Sequence, residues 1–133
     1  MILFDLQKAF DMVDHDILCS KLKAMGVESV GWFKSYLGNR IQYVDVHGTL
    51  SSPREVICGV PQGSILGPLL ILCYVNDMQL SVKCKLLLYA DDSTLVVEGK
   101  DPVEISNSLG TELEKIQKVN YKLKFLYRQA NFL

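Results

Sequence analysis

The stretch Leu86-Leu87-Leu88-Tyr89-Ala90-Asp91-Asp92-Ser93-Thr94-Leu95-Val96-Val97 constrains this chain most. It is apolar, then doubly acidic, then apolar again. The Leu/Tyr run before the acids and the Thr, Leu, Val, Val after them favour strand, and Ala-Asp-Asp is short and polar enough to turn. The pattern predicts a tight β-hairpin with two carboxylates at its tip. Adjacent anions repel and resist burial, so packing gives no reason to set two of them between sticky strands. Chemistry gives one, because carboxylates bind divalent cations. A solvated turn, where Asp is common, is the competing reading of the hairpin alone.

A second acidic element stands near the amino end, in Met1-Ile2-Leu3-Phe4-Asp5-Leu6-Gln7-Lys8-Ala9-Phe10-Asp11. Four apolar residues run into Asp5, so a buried strand delivers a carboxylate at its end. If the two strands lie side by side, Asp5, Asp91 and Asp92 build a two-metal site for in-line phosphoryl transfer. Between them in sequence lies Gly59-Val60-Pro61-Gln62-Gly63-Ser64-Ile65-Leu66-Gly67-Pro68, a Gly/Pro loop opening an apolar helix.

In this order and spacing the three stretches resemble the palm of reverse transcriptases, closest to the non-LTR, LINE-type retrotransposon branch. Phe4 to Asp11 is similar to motif A, Pro61-Gln62-Gly63-Ser64 to motif B, and Tyr89-Ala90-Asp91-Asp92 to motif C. The likeness runs from Ile2 to about Lys118. It implies an α+β palm: a small antiparallel sheet with helices packed on one face, related to split β-α-β folds. It implies RNA-directed DNA polymerisation, with an RNA template, a DNA primer and deoxynucleoside triphosphates as partners. Asp5, Asp91 and Asp92 would hold two Mg²⁺ ions, with Mn²⁺ a substitute and the Leu6 carbonyl a further ligand. Phe10 would stack under the nucleotide sugar and exclude a 2′ hydroxyl. Gln62 and Gly63 would position template and nucleotide, and Tyr89 would lie near the primer terminus. The plainer alternatives are a core aromatic for Phe10 and a strand-to-helix connection for the glycine loop.

The resemblance divides the chain into a palm fragment over 1–118 and a basic tail over 119–133 that is similar to a segment lying further downstream in the family. It also marks the chain as truncated at both ends and internally deleted after motif C. On that reading the 133 residues alone are expected to be inactive. A dead palm remnant or a binding module from a decayed element is the alternative function. A nucleotide cyclase on a related fold is disfavoured, because no Gly-Gly precedes the paired acids.

Composition fits one domain with a core: 133 residues, 49% hydrophobic and 22% charged. The net charge of -1 argues against a complete template-binding machine, which would be basic, and suits a palm whose basic neighbours lie elsewhere. Cys19, Cys58, Cys73 and Cys84 form no Cys-x-x-Cys pair, so buried reduced thiols are expected rather than zinc. No signal peptide or membrane span is legible, which places the chain inside the cell, cytoplasmic or nuclear, and not secreted. Nothing in the pattern fixes an oligomeric state.

Local signals fill in the rest. Asp14 or Asp16 caps a helix running to Met25, and the cluster Asp11, Asp14, His15, Asp16 reads as a cap with a solvated first turn. Ser29 caps a second helix with Trp32, Phe33, Tyr36 and Leu37 packing inward. Ile41, Tyr43 and Val46 read as one strand, His47 to Pro53 as a turn, and Arg54 to Cys58 as the returning strand. The helix after Ser64 or Gly67 should be buried almost all round. A last helix carries Ile105, Leu109, Leu113 and Ile116 on one face.

Overall fold

Alternating burial sets the first strand. In β1 (Ile2–Gln7), Ile2, Phe4 and Leu6 are buried while Leu3 is exposed and Asp5 and Gln7 are half-buried. The computed structural model describes residues 1–89, 92–123 and 126–132. After β1 come α1 (His15–Ala24) and α2 (Val30–Leu37). A ribbon follows, made of β2 (Arg40–Gln42), β3 (Asp45–Val46), β4 (Thr49–Leu50) and β5 (Arg54–Val56). Then come α3 (Leu66–Val75), a 3₁₀ turn at Met78–Ser81, β6 (Lys85–Tyr89), β7 (Asp92–Val96), α4 (Pro102–Lys122) and β8 (Leu126–Phe132).

Four strands make the main sheet in the order β6-β7-β1-β8, and every neighbouring pair is antiparallel. Ile2, Phe4, Leu6 and Leu95 of the sheet share one core with Leu18 and Leu22 of α1, Leu70 and Tyr74 of α3, and Leu109 and Ile116 of α4. This is the antiparallel sheet with helices on one face that the sequence predicts. Burying each such aliphatic side chain contributes about 1.5–3 kcal/mol. A one-residue slip of β1 would drive Asp5 into that core and Phe4 into water, so packing alone fixes the register of the acidic strand.

Helix starts follow their caps in part. Asp14 caps α1, its Oδ1 accepting from the Ile17 N–H at 2.9 Å. Gly26 follows with φ +88°, a left-handed turn that suits glycine. Ser29 stands at the N-cap of α2 but makes no side-chain cap bond. At α3 the Ser64 hydroxyl accepts from the Gly67 N–H at 2.9 Å, and the helix starts between the two expected positions, at Leu66.

Several expectations are corrected. Trp32 does not pack inward: it is exposed and stacks on Tyr36, centroids 5.3 Å apart. The expected strand from Ile41 to Val46 is broken, because β2 ends at Gln42 and a separate small hairpin, β3 with β4, is built beyond it. His47 lies in the tight turn of that hairpin, with φ +50°. Helix α3 is not buried all round, since Leu69 and Leu72 face outward. An all-apolar helix has no periodicity to mark a face, so only its neighbours decide which side is covered. Of the cysteines, only Cys19 is fully buried, and all four are free. Residues 119–122 continue α4, and β8 joins the sheet beside β1, so the tail is built into the fold. Among the described residues no helix is long and apolar enough to cross a membrane.

Tyr74 pins three parts of this fold together. Fully buried, its hydroxyl accepts from the Asp14 N–H at 3.2 Å and donates to the Leu123 carbonyl at 2.8 Å. Burial pushes the phenol up to about 12, so it remains a donor across the working pH range. Lys21 Nζ donates to the Tyr74 carbonyl at 2.6 Å and to the Asp77 carboxylate. Tyr74→Phe keeps the ring but removes both hydroxyl bonds. It is expected to cost about 1–3 kcal/mol, read as a lower urea midpoint at unchanged slope. An unchanged midpoint would show that the pin carries no stability.

Candidate active site

The hairpin brings the two acidic strands together. Asp5 of β1 is the direct cross-strand partner of Asp92 of β7, and Asp92 is in turn the partner of Tyr89 of β6. In β7, Ser93 and Leu95 are buried while Asp92 is exposed. Directly opposed antiparallel residues project to the same face, with Cβ atoms about 4.5–5.5 Å apart. Asp5, Asp92 and the exposed Tyr89 therefore share the face away from the helices. On the other flank of β1, Asp5 is in register with Arg128 of β8.

Like charges placed directly opposite destabilise a strand pair, unless something positive neutralises them. The donor set suits a hard divalent cation, which prefers oxygen ligands. The Leu6 carbonyl accepts from the Ala9 N–H at 3.2 Å. The third expected carboxylate, Asp91, lies outside the described residues. Among the described residues no three or more His, Cys, Asp or Glu side chains gather where they could hold a metal ion.

Beyond β1 the chain turns sharply. Lys8 takes φ +53°, and the Asp11 and Met12 N–H groups both donate to its carbonyl at 2.9 and 3.0 Å. This turn is laced to the glycine loop, about fifty residues on. The Gly59 N–H donates to the Val13 carbonyl and the Val60 N–H to the Phe10 carbonyl, each at 2.8 Å. His15 Nε2 lies 2.7 Å from the Gly59 carbonyl; a carbonyl only accepts, so that nitrogen carries the proton. Gln62 Nε2 donates to Asp11 Oδ1 at 2.7 Å. Phe10 is half-buried against the core, while Gln62 and Gly63 are exposed and Gly63 takes φ +77°. A groove of about 530 Å³ opens between this loop and the ribbon, lined by Asp11, Gln62, Arg40, Gln42 and Glu55 among others.

Two groups of sequence-selected residues thus form: Asp5, Asp92 and Tyr89 on the open sheet face, with Leu6 next to Asp5 in β1 but its side chain in the core, and Phe10, Gln62 and Gly63 at the loop junction. Asp11 and His15 are corrections. The sequence reading places both in a solvated first turn beside a cap. Asp14 does cap, but Asp11 and His15 bond the glycine loop instead. The one available signal was position: Asp11 stands three residues before the cap, where the helix dipole gives an acid little reason to be.

The sequence model of the family described as reverse transcriptase (RNA-dependent DNA polymerase) matches residues 1–126. A Drosophila melanogaster protein named "Probable RNA-directed DNA polymerase from transposon BS" is 40% identical over 104 residues, covering 71% of this chain and 12% of that protein. The RNA-directed DNA polymerase from mobile element jockey of the same species is 32% identical over 122 residues, 85% of this chain and 13% of its own length. A Pol polyprotein from the type-1 retrotransposable element R2 of Popillia japonica is 28% identical over 126 residues, 84% of this chain and 20% of that protein. The chain thus spans a fifth or less of each of these relatives.

Proposed function

Since this chain belongs to the reverse transcriptase family, in its non-LTR retrotransposon branch, we propose that it forms the catalytic palm of an RNA-directed DNA polymerase. Reverse transcriptases as a family act on nucleic-acid templates and nucleotides and use divalent metal ions. The observation that carries the reading is the register Asp5↔Asp92, two carboxylates opposed on the open face of a buried sheet. On this reading residues 1–118 carry the palm motifs, and 119–133 are a basic tail that completes α4 and adds β8 to the sheet beside β1. Asp5, Asp91, Asp92 and the Leu6 carbonyl would hold two Mg²⁺, or Mn²⁺ in their place. When bound, these ions lower the pKa of an attacking hydroxyl and neutralise charge on the leaving pyrophosphate.

The chain's own groups supply position. The open face lets an RNA template and a DNA primer approach Asp5 and Asp92, with Tyr89 beside the primer end. Gln62, held by its bond to Asp11, and the neighbouring Gly63 orient template and incoming deoxynucleotide. Phe10, wedged between the core and that turn, sets its ring edge under the sugar.

The test grafts residues 1–126 in place of the matching segment of the jockey polymerase. The graft should extend a DNA primer on an RNA template in Mg²⁺. Phe10→Val in the graft should raise incorporation of ribonucleotides relative to deoxyribonucleotides about tenfold or more, as the bulk opposing the 2′ hydroxyl is removed. A folded graft that extends nothing would sink the polymerase reading. An unchanged sugar ratio would leave Phe10 as core packing alone.

A further inference from the structure

Asp11 takes no part in the carboxylate pair, and it caps no helix. It is exposed, on the turn that follows β1, and its Oδ1 receives the Gln62 amide at 2.7 Å. An ionised carboxylate can only accept hydrogen bonds. The amide nitrogen of Gln62 must therefore face Asp11, and its carbonyl oxygen occupies the other arm of the fork. The backbone beneath is already fixed. The Pro61 carbonyl accepts from the Ser64 hydroxyl at 2.7 Å and the Ser64 N–H at 3.3 Å, and Gly59 and Val60 are bonded to the turn. With the main chain held on both sides of Gln62, the freedom that remains lies in its side-chain torsions, and the bond to Asp11 restrains them together with the amide orientation.

We propose that Asp11 is a positioning residue: it fixes the Gln62 amide so that its oxygen is presented to the groove as an acceptor. The inference rests on the polymerase reading for the identity of what docks there. What docks would donate to that oxygen, as a sugar hydroxyl or a base amine of a nucleotide does. Asp11 touches no substrate; it acts through Gln62. Without it the amide presents nitrogen and oxygen interchangeably, and binding must select one orientation.

Two measurements test this. In the 133-residue chain, the Gln62 side-chain amide signals in ¹⁵N-labelled protein should be displaced from free-glutamine values. Asp11→Ala should collapse them to those values, and Asp11→Asn, whose amide oxygen can still accept, should largely restore the displacement. In the grafted polymerase, Asp11→Ala should raise the nucleotide KM about tenfold with kcat within about twofold, the scale of one charge-assisted bond. Gln62→Ala should do the same, and the double variant no more, because the two act as one unit. Gln62 signals indifferent to Asp11→Ala, or additive KM effects, would overturn the proposal. Signals that follow Asp11 in a graft that cannot extend a primer would overturn the polymerase reading and the nucleotide role, while upholding the Asp11–Gln62 bond itself.

Discussion

Asp5→Asn is expected to cut primer extension by the grafted polymerase about a thousandfold while making the metal-free fold slightly more stable. The two effects share one cause. Asp5 and Asp92 are direct partners across β1 and β7, so two negative charges are held side by side by backbone hydrogen bonds. In the absence of metal this opposition costs about 0.2–1 kcal/mol, and replacing one carboxylate by an isosteric amide relieves it. The same amide is a poor ligand for a hard cation. Several kcal/mol of transition-state stabilisation then go, and about 4 kcal/mol corresponds to a thousandfold at 1.36 kcal/mol per decade. The 133-residue chain gives an independent reading: millimolar Mg²⁺ should raise the melting temperature of the wild type and leave that of Asp5→Asn unmoved, since only a folded state with both carboxylates gains binding energy. Equal Mg²⁺ response in both proteins would remove Asp5 from the metal site. A loss of activity accompanied by a loss of metal-free stability would mark Asp5 as structural.

The parts legible in the sequence are those where a short-range pattern meets one physical demand. Apolar runs meeting acids marked β1 and the β6–β7 hairpin as strands, though β1 alternates in burial, with Leu3 exposed, and runs past Asp5 to Gln7. Helix α4 was legible from its period of 3.6, with Leu109 and Ile116 buried as spaced. The misses are long-range. Ile41, Tyr43 and Val46 have strand-forming side chains, yet the structure leaves them exposed, and local propensity cannot report how a ribbon will fold back. The tail reads as basic and amphipathic, but a pairing with β1 over more than a hundred residues decides its place as β8. Asp11 looks like a helix-capping acid until the glycine loop is brought beside it. Its role depends on a contact across 51 residues that no window can see.

Gly59→Ala is expected to cost about 3–5 kcal/mol, whereas Gly48→Ala should cost only about 1. Both glycines are left-handed, at φ +86° and φ +83°, so both substitutions carry the backbone strain of a side chain at positive φ. They differ in what a Cβ would meet. At Gly48 nothing lies within 4 Å, whereas at Gly59 the new carbon would sit 2.9 Å from the Asp11 carbonyl oxygen and 3.0 Å from the Phe10 carbonyl oxygen. These are backbone atoms, which cannot rotate away. The loop must retreat, and the Gly59-to-Val13 and Val60-to-Phe10 hydrogen bonds retreat with it, adding overpacking and lost bonds to the strain. The difference between the two variants isolates the close approach of the two loops from the conformational freedom of glycine. In the grafted polymerase Gly59→Ala should also impair nucleotide binding, because Gln62 rides on the displaced loop. Equal destabilisation by the two substitutions in urea titrations would mean that the junction tolerates a methyl group, and that the glycine is there for its turn alone.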